Sequence, residues 1–215
     1  MSTVTSLRYL HGAAACPNEV VSSEREELIL VDDQDREVGF QSKADCHDHD
    51  GVLHRAFSLF VFNREGEVLL QRRAANKRLW PLYWSNSCCS HPRRGEDMEA
   101  AVHRRLYQEL RIRSELNYLY KFQYAASFGD AGSERELCWV YAGLSDDPVR
   151  ANATEISEWR YVSPAQLDRE LAQRPERFTP WFKLEWPRVL ELRGQADGQG
   201  RRPDWVERIV QEDCA

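Results

Sequence analysis

The stretch Asn86-Ser87-Cys88-Cys89-Ser90-His91-Pro92 sets a thiol and an imidazole two residues apart, just ahead of a highly charged segment. The pair offers a soft metal ligand, a nucleophile and a base in one place. If the segment is extended, side chains at i and i+2 project to one face. Cys89 and His91 then look into one cavity and Cys88 points the opposite way. The plain alternative is a buried thiol beside a satisfied imidazole, since free cysteine is among the most buried residue types.

Other spacings extend this chemistry. Arg105 and Glu109 stand four apart on one helix face, which suits either an intrahelical ion pair or a cation beside a metal-binding carboxylate. Glu134 and Glu136 alternate onto one face of a strand. His47 and His54, seven residues apart, precede the first long strand, while His49 and His103 match no pattern and read as solvated.

The elements that must position these groups follow from periodicity. Leu28 to Val31 reads as a strand and Asp32 to Asp35 as a turn. Arg55 to Phe62 reads as a strand that turns through Asn63-Arg64-Glu65-Gly66 into Val68-Leu69-Leu70, a hairpin. Met98, Ala101, Val102, Leu106 and Leu110 recur at helical spacing behind Asp97, a natural N-cap. Strand patterns return at Leu116 to Phe128, Leu137 to Leu144 and Glu158 to Val162. Pro164 opens a further helix and Thr179 to Leu192 suggests the last. Strands interleaved with a few helices predict a mixed-sheet α/β (α+β) sandwich. Residues 1–25 read as a flexible extension, 26–193 as the domain and 194–215 as a Gly/Gln/Arg-rich linker with a short amphipathic tail.

Composition narrows the partners. With 215 residues the chain is long enough to bury a real core. A net charge of −6 argues against non-specific nucleic-acid binding. A mean hydropathy of −0.65 without a long apolar run argues against a membrane span. The N-terminal stretch lacks the apolar core of a secretory signal, and six cysteines, two of them adjacent, read as reduced thiols. The expected setting is the cytoplasm, and a monomer is favoured.

Taken together, Arg72-Arg73, Lys77, Trp80-Pro81, Trp84, the NSCCSHP run, Arg105, Glu109, Tyr124, Glu134-Arg135-Glu136 and Phe178-Thr179-Pro180-Trp181 resemble the type 1 isopentenyl-diphosphate delta-isomerases of the Nudix superfamily, over roughly residues 26 to 190. That resemblance implies a Nudix αβα sandwich. It also implies that His47, His54, His91, Glu134 and Glu136 hold a divalent metal, for which imidazole suits Zn²⁺ and carboxylate also suits Mn²⁺ or Mg²⁺. Glu136, assisted by Tyr124, resembles the family's proton donor and Cys89 its thiolate base, with nearby cations or metal lowering the thiol pKa. Lys43, Arg73, Lys77 and Arg105 fall where the family grips a diphosphate, and Glu109 where it binds the bridging Mg²⁺. Trp181 and Trp84 are expected to offer π faces to a carbocation. The implied substrate is isopentenyl or dimethylallyl diphosphate.

The Nudix signature itself runs Gly, five residues, Glu, seven residues, then Arg-Glu-apolar-x-Glu-Glu-x-Gly-apolar. Here it keeps Glu96, Arg104, Leu106, Glu109 and Ile112, but Ser90, Arg105, Gln108 and Arg111 replace the first Gly, two glutamates and the last Gly. With one helix glutamate left, the cluster that activates water in Nudix pyrophosphohydrolases is incomplete. A hydrolase is therefore the weaker reading. An inactive diphosphate-binding module predicts a broken motif set, and this set is intact. A cysteine hydrolase would need His91 as its base, which a metal would remove.

Overall fold

The computed structural model describes residues 19–194 together with Gly12–Ala13 and Val206. Ten strands form one mixed sheet: β1 (Gly12–Ala13), β2 (Glu27–Val31), β3 (Glu37–Ser42), β4 (His54–Phe62), β5 (Val68–Arg73), β6 (Trp84–Ser85), β7 (Cys88–Ser90), β8 (Leu116–Ser127), β9 (Ser133–Leu144) and β10 (Ile156–Val162). Among the described residues the α-helices with full ranges are α1 (Lys43–Cys46), α2 (Met98–Leu110), α3 (Pro164–Gln173) and α4 (Pro180–Gly194). No helix among the described residues is long and apolar enough to cross a membrane.

The central strand is β4. It runs parallel to β9 from His54↔Glu136 to Phe62↔Leu144, and antiparallel to β7 through Phe57↔Ser90, Ser58↔Cys89 and Leu59↔Cys88. The expected hairpin with β5 meets it at the single pair Phe62↔Val68, because β7 takes up the pairing further back along β4. Strand alternation then sorts two cores. Ala56, Phe60 and Phe62 pack with Trp181, Phe182, Trp186 and Leu167 under α3 and α4. Phe57, Leu59, Val61 and Cys88 pack with Val102, Leu106 and Leu110 of α2. Each fully buried Leu or Phe contributes roughly 1.5–3 kcal/mol. Helices on both faces make the αβα sandwich.

Local chemistry fixes the ends of α2. Asp97 Oδ1 accepts from the Ala100 N–H at 2.8 Å, as the N-cap reading requires. Arg111 closes the helix in the left-handed conformation, φ 59°, and its N–H donates to the Tyr107 carbonyl.

Two departures concern the termini. Residues 19–25, expected to be loose, are docked. Val21 is buried, its carbonyl accepts from Arg105 Nη1 at 2.8 Å, and the Glu19 carbonyl accepts from Asn152 Nδ2 at 2.8 Å. Arg105 of α2 and Asn152, which lies between β9 and β10, supply partners that composition alone did not reveal. The linker and tail at 194–215 lie outside the described residues except for Gly194 and Val206, which is helical and buried in the α4-side core. The strand β3 and the short helix α1 had no clear sequence signal. Ser42 caps α1, and that turn delivers Lys43 and His47 to the site.

Candidate active site

His47 follows α1, His54 opens β4, His91 follows β7, and Glu134 and Glu136 lie on β9. The five ligand atoms fall within 4.8 Å of one another. The register His54↔Glu136 brings the strand residues together, and the ring centroids stand 4.8 to 5.3 Å apart. Backbone carbonyls orient two of the rings. His47 Nδ1 is 2.6 Å from the Lys43 oxygen and His54 Nδ1 is 2.7 Å from the Val52 oxygen, which turns both Nε2 atoms inward.

This set fits a divalent ion. His54 Nε2 is buried with no hydrogen-bond partner, and so is Glu134 Oε2, although His47 Nε2 lies 2.7 Å from it. Orphaned buried groups are costly unless something unites them, and a cation does so for lone pairs. Burial holds His54 down at about 4 and His91 well below the usual imidazole range, so both present neutral nitrogens.

The two carboxylates are driven apart. Burial works against ionising either, but the neighbouring His47 pulls Glu134 far down, whereas burial and then the Glu134 charge push Glu136 well up. Glu134 is thus the anion and Glu136 the carboxylic acid. Glu136 Oε1 lies 2.9 Å from His91 Nε2, and Oε2 accepts from the Tyr124 hydroxyl at 2.7 Å. One oxygen belongs to the His/Glu cluster and the other faces Tyr124.

Cys89 and Cys88 separate as alternation requires: Cys88 enters the α2 core and Cys89 packs against the other. The thiol is not lowered as expected. Burial pushes Cys89 up to about 12, with Arg73, whose Nη1 is 4.0 Å from the sulfur, drawing it down only in part. Trp181 is 3% exposed and donates from Nε1 to Ser85 Oγ at 3.0 Å. Its ring centroid is 6.1 Å from that of Tyr124 and 5.3 Å from the Arg73 guanidinium. Trp84 departs from expectation. The Arg160 guanidinium covers its ring at 4.5 Å, and it lines a 290 Å³ cavity with Glu158, Arg174 and Phe178, so this π face is already taken.

The cations gather around buried acids. Arg105 Nη2 is 2.5 Å from Glu109 Oε1 and 3.4 Å from Glu155 Oε2, and Lys77 is bonded to the same Glu155 oxygen. Lys43 donates to Ser22 Oγ at 2.7 Å and pairs with Glu24, while Arg73 is held by the Leu79 and Trp80 carbonyls. Glu109 is therefore paired with Arg105 and stands apart from the five-ligand cluster. Sequence reasoning missed Glu155, which sits in a turn without periodic pattern. It also missed Glu185, although a carboxylate between Phe182 and Trp186 on an apolar helix face was a readable signal.

Fold and site together define a NUDIX protein in which the group that could hold a metal lies on and beside the sheet rather than on the signature helix. The NUDIX domain family matches residues 52–182. Solved structures agree on the fold: DR0079 from Deinococcus radiodurans (TM-score 0.56, 23% identity, 86% of this chain and 98% of that one) and a MutT protein from Methanosarcina mazei Go1 (0.55, 18%, 66% and 96%). Sequence relatives are closer. Isopentenyl-diphosphate Delta-isomerase 1 of Photorhabdus laumondii is 44% identical over 168 residues, 77% of this chain and 96% of that protein. The isopentenyl-diphosphate Delta-isomerase of Clavibacter michiganensis is 40% identical over 162 residues, covering 74% and 84%. The chain belongs to the isopentenyl-diphosphate Delta-isomerases.

Proposed function

We propose that this site interconverts isopentenyl and dimethylallyl diphosphate by protonating one end of the allylic system and deprotonating the other. The observation that carries the reading is Glu136: a buried carboxyl with one oxygen in the His/Glu cluster, the other on Tyr124, and Cys89 and Trp181 on the same side of the sheet.

An unactivated alkene needs a strong acid shielded from water. His47, His54, His91, Glu134 and Glu136 would hold a divalent ion, which would supply Lewis-acid polarisation of that acid, and three imidazoles favour Zn²⁺ over Mg²⁺ or Mn²⁺. The Glu136 carboxyl gives its proton to the terminal carbon, with Tyr124 fixing its direction. The positive charge develops on the tertiary carbon, where the Trp181 face stabilises it by about 2 kcal/mol or more. Cys89, as thiolate, takes the proton from the adjacent methylene. A thiol near 12 is a poor base until charge compensates it, and Arg73 is the cation already beside it.

Lys43, Arg73, Lys77 and Arg105 grip the diphosphate by exchanging their present carboxylate and carbonyl partners for phosphate oxygens. Glu109, once released from Arg105, would hold a Mg²⁺ ion, which would offset the negative charge of the diphosphate. Residues 26–193 form the catalytic unit, to which residues 19–25 contribute the Arg105 and Lys43 contacts. The setting is the cytoplasm and the partner a small diphosphate ester.

The test is deuterium incorporation into isopentenyl diphosphate in D₂O, with and without a chelator. Exchange that a chelator abolishes supports the reading. No exchange by the metal-loaded protein refutes it.

A further inference from the structure

His47 is the member of the His/Glu cluster that the sheet does not place. His54, Glu134 and Glu136 stand on paired strands and His91 follows β7 directly, whereas His47 lies in the loop from α1 to β4. With four residues α1 is too short to hold its own end rigidly. The loop also contains a residue in the left-handed region, His49 at φ 53°, a conformation that persists only where the surroundings fix it. Partners outside the loop have to supply that constraint.

The start of β9 supplies part of it. The Ser133 N–H donates to the His47 carbonyl at 2.9 Å, and Ser133 Oγ donates to the His49 carbonyl at 2.7 Å. A side chain at Gly132 would run into the same His47 carbonyl, so the two segments are in close contact there. Arg78, from the loop between β5 and β6, lies across both. Its Nε donates to the Ala131 carbonyl at 2.8 Å, in the turn between β8 and β9, and its Nη1 to the Ala44 carbonyl of α1 at 3.3 Å. Its Nη2 is bonded to the carboxylate of Asp48, the residue after His47. One planar guanidinium thus joins the helix before His47, the loop after it and the turn that leads into Glu134. The fixed fork of arginine suits such a three-way contact, which an ammonium group cannot reproduce. Fold stability does not account for it, because the Arg78 and Asp48 side chains are 36% and 45% exposed and ion pairs so exposed contribute little.

We propose that Arg78 is a positioning residue for the metal-binding group, holding His47 opposite Glu134 before an ion arrives. His47 Nε2 already lies 2.7 Å from Glu134 Oε2. Ligands gathered beforehand lose less freedom on binding, so affinity rises without any added ligand. Arg78 acts only through the His47 loop and the β8–β9 turn, and all five ligand atoms remain when it is removed. Its neighbour Lys77 belongs to the diphosphate grip, and the Leu79 and Trp80 carbonyls of the same loop hold Arg73, so one loop serves both halves of the site.

This role rests on the proposed metal-dependent isomerase, and the experiment separates the two. Wild type, Arg78→Ala and Arg78→Lys are titrated with Co²⁺ in competition with a chelating dye, and urea melts of the metal-free proteins run alongside. The control is Arg64→Ala, which removes an exposed pair with Asp146 in the β4–β5 turn, at the far end of β4 from His54. Arg78→Ala should bind Co²⁺ about tenfold or more weakly, while its metal-free stability stays level with that of Arg64→Ala. Isomerase activity measured against metal concentration should need about tenfold more metal for half activation, with the maximum unchanged. Arg78→Lys should also lose affinity, and it carries the test if Arg78→Ala does not fold. Wild-type affinity in Arg78→Ala, full affinity restored by lysine, a loss matched by a fall in metal-free stability, or activity that stays low at saturating metal overturns the positioning role and leaves the isomerase intact. A wild-type protein that neither binds Co²⁺ nor isomerises overturns both.

Discussion

Replacing Glu185 by Gln should make the protein more stable, by an amount that grows with pH. The carboxyl is fully buried beside Cys138 and Ser58, and burial raises it from 4.5 to about 7. The protonated form is the one the fold prefers. Below the unfolded value both states hold the proton and burial brings no charge penalty. As pH rises from about 4.5 to 7 the folded state binds more protons than the unfolded one, so stability falls with pH and then levels off. Raising the carboxyl from 4.5 to about 7 corresponds to a loss of roughly 3 kcal/mol between pH 4.5 and 8. Glutamine fills the same space and never ionises. Of the groups around Glu185, Cys138 and Tyr120 are both raised well above the range used, and Glu136, which the Glu185 charge also raises, is present in both proteins. Urea melts of the metal-free proteins at pH 4.5, 6 and 8 measure the difference directly. The variant should match wild type at the acid end and exceed it by about 3 kcal/mol at pH 8. A difference that does not change with pH would show that the carboxyl is not buried as a neutral acid.

Three further outcomes are expected. Cys89→Ser should lower isomerisation by at least about 10²-fold with metal and substrate binding kept, whereas Cys88→Ser should stay active and lose about 1–3 kcal/mol of stability from a hydroxyl placed in the α2 core; equal loss of activity from both would refute the separation of the pair by strand face. A diphosphate ester bearing a tertiary ammonium should bind more tightly than its neutral carbon isostere, and Trp181→Ala should cut that ratio by roughly 30-fold, the equivalent of about 2 kcal/mol, while Trp84→Phe leaves it alone; a ratio near one in calorimetry of the wild type would mean that no cation is stabilised there. With Mg²⁺, no phosphate or pyrophosphate should be released from nucleotide sugars, ADP-ribose or dinucleoside polyphosphates, and turnover at about 1 per second or faster would return the chain to the hydrolases.

What the sequence made legible was whatever period or local chemistry could express. The alternation that separates Cys88 from Cys89, the helix behind Asp97 and the pair Glu134/Glu136 all depend on neighbours within a few residues. Contacts that depend on topology were invisible. Nothing near Trp84 announces that Arg160, from a distant strand, will cover its ring. Nothing near Glu155 announces that Lys77 and Arg105 will share it. The docking of residues 19–25 has the same origin, since the Val21 carbonyl matters only because Arg105 is buried opposite.

The four departures from the Nudix signature also prove to be of different kinds. Arg105 replaces an acid with a buried cation that pairs with Glu109, and so changes the chemistry of the helix. Gln108 accepts from Arg104, which also grips Glu96 at 2.5 Å, so these positions now bond to one another instead of facing a metal cluster. Arg111 is conformational: it stands where the signature has glycine and takes φ 59°, a region non-glycine residues enter at a cost of order 1 kcal/mol or more. Its guanidinium stacks 5.0 Å from the Tyr107 ring and pairs with Glu19, contacts that a glycine there would forgo. Ser90 lies in a regular strand pair with Phe57, where an extended backbone asks nothing of a glycine. The helix has thus kept its shape and its caps while losing the acids that a hydrolase needs. The remaining chemistry has to come from the sheet, which carries Cys89 on β7 and Glu136 on β9.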